Sequence, residues 1–249
     1  MPVIHPRIAL FHDIKESVTP ELALADTVQL MNQIYKISNN SRGWHLPGYS
    51  EEEIIKNNVF NKDGITEYAL NEFIESYDKD DRTIIKSLFD TPDVNDSVEL
   101  KNDITYICQD DVYSVPNRLG KSNISIRLNL DRNEFKFEKF IDFLSNLISV
   151  RSSPFLLVDT RGYSLKQKQV FPDRLYAGWM LYLPIEIDPT LLPMAEEIIS
   201  VADKNGDKGS LIITTKEIFD IENQNHINKA NDIEICLRDL QLLPLIAEI

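Results

Sequence analysis

Glu134-Phe135-Lys136, with Asp110 and Asp111 upstream, is the set of residues in this chain whose types best fit a hydrolytic chemistry. Carboxylates of this kind hold a hard divalent cation through oxygen, and a neighbouring lysine can activate water or stabilise charge developing on a phosphorane. The same residues have a plainer meaning, because an acid at the start of an amphipathic helix is favoured by the helix dipole. Asp203, Asn205 and Asp207 stand at alternate positions, as ligands do in a calcium loop. The sixth position, however, is Lys208 instead of glycine, and the twelfth is Thr214 where a bidentate glutamate is needed. That segment reads as a polar hairpin turn.

The remaining reactive side chains are scattered. His5, His12, His45 and His226 form no H-x-x-x-H or H-E-x-x-H pair for zinc, and Cys108 and Cys236 form no CxxC. Either cysteine could meet a distant histidine as nucleophile and base, but no local motif supports this, and a buried structural thiol is the more frequent case. The eight glycines include no GxGxxG or GxxxxGK phosphate loop. No catalytic residue, metal or cofactor is assigned from these patterns.

The elements that would position these residues follow from periodicity and caps. Thr19-Pro20-Glu21 reads as N-cap, first-turn proline and dipole-favoured acid, and Leu24, Val28, Met31 and Tyr35 follow at helical spacing, which predicts a helix over about 20–37. Residues 38–50 carry Gly43, Pro47 and Gly48 and read as a loop presenting Trp44, His45 and Tyr49. Ser50-Glu51-Glu52-Glu53 fits a capping box, and 65–76 and 80–89 read as two further short helices. Beyond Pro92, β-branched and aromatic residues predict strands over 104–115 and 123–130. An amphipathic helix through Phe137, Phe140, Ile141, Leu144, Leu147 and Ile148 comes next, then strands at 155–160 and 176–183. A hairpin pairs 198–201 with 211–215, and a last helix over 226–240 presents Ile227, Ala230, Ile233, Leu237 and Leu240. The expected class is α+β, with a mixed or mainly antiparallel sheet packed with several amphipathic helices. The expected organisation is one domain over 1–249, mainly helical over 1–100 and sheet-rich with a C-terminal helix over 101–249.

Charge is the strongest bulk signal. The chain of 249 residues carries a net charge of −14, and residues 51–111 hold seventeen acids against six bases, so that 6 − 17 = −11 of it falls there. Such a field repels phosphate backbones and steers basic partners. Glu51, Glu52, Asp78, Asp80, Asp81, Asp110 and Asp111 are the candidate contacts for a basic partner, with Trp44 and Tyr49 as candidate aromatic anchors. A basic footprint for nucleic acid is missing, and no apolar run approaches the roughly 18 residues of a membrane span. The N-terminus lacks a signal-peptide core, and two cysteines without a framework suit a reducing compartment, so a soluble cytoplasmic protein is expected.

The segment Phe171-Pro172-Asp173-Arg174-Leu175-Tyr176-Ala177-Gly178-Trp179-Met180-Leu181-Tyr182-Leu183-Pro184 is followed by Gly209-Ser210-Leu211-Ile212-Ile213-Thr214-Thr215, His226 to Ala230, Asp232-Ile233-Glu234-Ile235 and Leu242-Leu243-Pro244. This order resembles the immunity protein 52 family of bacterial polymorphic toxin systems, over residues 150–249. The resemblance implies a non-enzymatic α+β protein that binds the C-terminal domain of a cognate toxin. Such toxins are often restriction-endonuclease-like nucleases delivered through secretion systems, including type VI. An acidic surface would then cover the basic groove of the nuclease, carboxylates standing where phosphates would. The alternative reading is a metal-dependent hydrolase of restriction-endonuclease-like type using Asp110 or Asp111 with Glu134 and Lys136, which requires those side chains to converge around one cleft.

Overall fold

The computed structural model describes residues 3–38, 43–91, 101–110, 119–160 and 162–249. The chain divides into two compact units, the first built mainly from His12–Leu147 and the second from Ile4–Phe11 with Ile148–Ile249. Strand β1 (Val3–Ile4) pairs with β9 (Leu130–Asp131) in a short ribbon. Strand β2 (Pro6–Ile14) contributes residues to both units. It was not expected from sequence, although Ile4, Pro6, Ile8 and Leu10 alternate inward with the period of a strand.

In the first unit α1 (Pro20–Ile37) follows the predicted bounds, with the Thr19 hydroxyl accepting the Leu22 N–H at 3.2 Å. The strands β3 (Trp44–His45), β4 (Asn58–Asn61), β5 (Gly64–Ile65), β6 (Thr83–Phe89), β7 (Asp103–Asp110) and β8 (Gly120–Arg127) lie in the order β8-β7-β6-β3-β4-β5, joined by antiparallel ladders. Helices α2 (Glu51–Lys56), α3 (Glu67–Glu75) and α4 (Phe137–Ser149) complete it. The acidic stretch is therefore not mainly helical, and 80–89 holds a strand where a helix was expected. Its inward row is Ile84, Lys86 and Leu88, and the charge at the middle position hides the alternation. Lys86 tolerates burial because its ammonium lies 3.8 Å from Glu72 and 5.4 Å from the centroid of the Phe73 ring, both on α3.

In the second unit β10 (Ser152–Thr160), β11 (Met180–Leu183), β12 (Glu197–Ala202) and β13 (Lys208–Ile213) take the order β12-β13-β11-β10-β2. The β12–β13 hairpin and α5 (Gln224–Asp239) match expectation, except that Leu240 caps α5 from an exposed position. Met180, Leu181, Tyr182 and Leu183 are all buried, so β11 has two covered faces and none to offer a partner. Gly209 is required beside it, since a Cβ there would collide with the Tyr182 hydroxyl and the Leu183 carbonyl. The unit is α+β like the first, and the class expected from sequence is the one observed.

Candidate functional site

The E-x-K set does not assemble with Asp110. Asp110 ends β7 opposite Gly120, whereas Glu134 and Lys136 share a cavity with Ser38 and Asn129, both hydrogen-bonded to Asn102 beside Asp103 at the other end of that strand, seven residues away. A seven-residue step along a strand is roughly 23 Å. Asp110 instead accepts a hydrogen bond from the Arg82 guanidinium at 2.9 Å. Glu134 and Lys136 line an open polar cavity of about 520 Å³ with Lys36, Asn129, Asp131 and Lys139. Asp111 lies outside the described residues. No group of three or more His, Cys, Asp or Glu suited to a metal occurs among the described residues.

The hairpin acid Asp203 is a turn-former. Its carboxylate accepts from the Asn205 and Asp207 N–H groups at 2.7 and 3.1 Å and from the Ser153 N–H at 2.9 Å, which uses the lone pairs a calcium ion would need. Cys108 is buried and its thiol is pushed up to about 12 by that burial, so it has no thiolate to attack with. His226 is buried and accepts the Asp220 N–H through Nδ1 at 3.0 Å, fixing the loop before α5.

The segments that carry the family resemblance are interior over residues 177–183 and 209–215, whereas Pro172, Asp173, Asn228, Asp232 and Ile235 are exposed. Glu234, fully buried on α5, accepts from the Tyr163 hydroxyl at 2.8 Å, the Val170 N–H at 2.7 Å and the Ala177 N–H at 3.1 Å. The Trp179 indole donates to the Thr215 carbonyl at 3.0 Å, and the Thr214 hydroxyl to the Gly178 carbonyl at 2.8 Å. These bonds tie residues 163–179 to α5 and to Thr214 and Thr215, just after β13.

The comparisons with known proteins bear on this fold. It resembles the Pseudomonas aeruginosa T6SS protein PA0821. The superposition covers 95% of this chain and 72% of that one, with a TM-score of 0.54 and 12% identity. No protein-family model and no curated protein matches the chain, so the likeness to the immunity protein 52 family stands on the quoted segments alone. At 12% identity the PA0821 match shows a shared fold and carries no residue across.

Of the candidate partner contacts, Trp44 is not on an exposed loop. It is completely buried in β3, opposite Phe60 of β4, and belongs to the core. Tyr49 is entirely exposed, next to the exposed Glu51 and Glu52 at the start of α2. Asp78, Asp80 and Asp81 form the turn into β6, and all three are exposed. There the Asp78 carboxylate accepts from the Asp81 and Asp80 N–H groups, which hold it below the usual carboxylate range.

A further acidic focus escaped the sequence reading. Burial, a hydrogen bond to Glu72 and the negative charge of Glu72, Glu75 and Glu53 push the Tyr68 hydroxyl up to about 12. The spacing Tyr68, Glu72, Glu75 is one helix stripe and was legible, whereas the approach of Glu53 from α2 was not. Counted over the whole sequence, the first unit holds 15 bases and 25 acids and the second 11 and 15, so 15 − 25 = −10 and 11 − 15 = −4 of the charge.

Proposed function

We propose that the protein is a non-enzymatic immunity protein that binds the C-terminal domain of a cognate polymorphic toxin, a basic nuclease delivered by a type VI or similar secretion system. It acts in the cytoplasm by covering the groove of the nuclease, a mode of inhibition that needs no cofactor. The observation that carries this reading is the fold held in common, over nearly the whole chain, with a protein titled as a T6SS protein. The concentration of acid in the first unit supports it, because a nuclease groove built for phosphate is complementary to a carboxylate-rich face. The resemblance of residues 171–184 and 209–244 to an immunity family points the same way. The separation of Asp110 from Glu134 and Lys136 weighs against the hydrolase alternative.

The test is genetic and biochemical together. The toxic C-terminal domain encoded beside this gene is expressed in a host with and without this protein. The expected result is arrested growth that this protein relieves, and a complex that survives gel filtration. A neighbouring product that is harmless, or that is toxic yet neither bound nor relieved, overturns the reading.

A further inference from the structure

Tyr49 occupies a position from which the fold draws no packing. Ser50 caps α2, its hydroxyl accepting the Glu53 N–H at 3.2 Å, so Tyr49 is the residue just before the cap and Ile54 is the fourth residue of the helix. Apolar side chains at these two positions ordinarily pack on each other and fix the entry of the chain. Here Ile54 is buried at 8% exposure while Tyr49 is 100% exposed. The reason is Gly48. A Cβ on that residue would lie 3.1 Å from both Glu53 Cγ and Ile54 Cγ1, so the Gly48 backbone occupies the place over Ile54 and Tyr49 is turned outward.

The loop that carries Tyr49 is nevertheless held at four points. The Leu46 N–H donates to the Asn57 carbonyl at 3.0 Å, and the Asn57 amide donates to the Pro47 carbonyl at 2.9 Å. The Tyr49 N–H donates to the Glu53 carboxylate at 2.8 Å, and the Ser50 cap closes the set. The aromatic ring therefore sits on a framework whose ordering is complete before any partner arrives, which lowers the entropic cost of using it. Ile55, 52% exposed, lies on the same short helix, four residues from Glu51 and three from Glu52, so it shares their side of the helix. An aromatic and a branched aliphatic side chain rimmed by carboxylates have the make-up of an interface anchor.

We infer that Tyr49 and Ile55, rimmed by Glu51 and Glu52, form the anchor by which this protein docks an apolar pocket rimmed by arginine or lysine on its protein partner. The charge of the rim selects that occupant, since a second copy of this acidic unit would meet it with like charge. The inference rests on the proposed immunity function and names the face that such binding would use. Tyr49 closes the pocket of the partner to water, Ile55 extends the apolar contact, and Glu51 and Glu52 speed encounter and pair with basic side chains at the edge.

The experiment measures association and dissociation of the full-length protein with the toxin domain encoded beside its gene. The Tyr49→Ala variant, whose melting temperature should match that of the wild type because the ring is fully exposed, is expected to lose about thirtyfold in affinity, mostly through faster dissociation. The Glu51→Lys/Glu52→Lys pair is expected to slow association severalfold at low salt. Wild-type binding with Tyr49→Ala within about twofold overturns this anchor and leaves the immunity reading intact. Absence of wild-type binding overturns both.

Discussion

Carboxylates in the interior of this protein differ in how they are satisfied, and the difference sets their effect on stability. Glu234 has three donors on two oxygens. Glu234→Gln would turn an amide NH₂ toward one of them, and the variant is expected to lose about 2 kcal/mol of stability in urea denaturation. Asp159 is less well served. Its Oδ2 accepts a long bond from the Ser164 N–H at 3.4 Å, and Oδ1 has no hydrogen bond among the described residues. Burial pushes it up to about 6, against the pull of backbone donors and of Arg7, and burial pushes Asp90 up to about 6 as well. The folded-state values thus lie above the ordinary 3.8. The stability each group allows is fully present below about pH 4 and is lost as pH rises through 6. Between pH 5 and 7.5 the wild type should weaken by roughly 1 kcal/mol for each of these groups, and Asp159→Asn should remove its share. Denaturant titrations of both proteins at the two pH values measure the difference.

At the scale of elements, the packing of α3 on β6 turns on a single buried ammonium. Burial lowers the Lys86 pKa, with Glu72 and Glu75 opposing the shift. Lys86→Met keeps the stem over Phe73 and removes the desolvated charge, so stability at pH 7 should hold or rise by about 1 kcal/mol. Glu72→Gln should do the opposite, because it leaves that charge poorly paired; thermal unfolding of both variants checks the signs. The same lysine explains why this strand was illegible in the sequence. Elements whose inner rows carry no charge, such as α1, β8 and the β12–β13 hairpin, are readable from period and caps, the buried Thr27, Ser122 and Ser210 being small enough not to hide the pattern. β6 is not, because the decisive partner of Lys86 sits fourteen residues away on another element. β2 is a different case, since its alternation is visible in Ile4, Pro6, Ile8 and Leu10 once the segment is read as structure. Trp44 was misjudged for a third reason. Gly43 and Pro47 mark a loop, but the two residues of β3 between them pair on both sides, and pairing is not written locally.

For the whole molecule, the sequence puts a charge of −10 in the first unit and −4 in the second, so the first unit exerts the stronger pull on a basic partner. Association with the toxin domain should slow steeply as salt rises from about 50 to 300 mM, while dissociation changes little. Reversing Asp80 and Asp81 to lysine should flatten that dependence if their turn belongs to the steering field, and stopped-flow mixing reads it directly. Asp78 is left out of the reversal because its carboxylate builds the turn. The candidate site was legible in its charge and in Tyr49. The field that Glu72, Glu75 and Glu53 exert together at Tyr68 arises only once α2 and α3 have folded.

Strand β2 lends residues to both units, and the chain is made in an order that separates it from its neighbour. Ile4–Phe11 neighbours β10 in the sheet of the second unit, and β10 is synthesised well over a hundred residues later. Closing so long a loop is slow, and this edge of β2 cannot find its partner until the ribosome has passed residue 160. Until then an early strand waits with an unpaired edge, the kind of edge that invites pairing with other chains. Folding of the chain would on this basis depend on what shields residues 4–11 during translation.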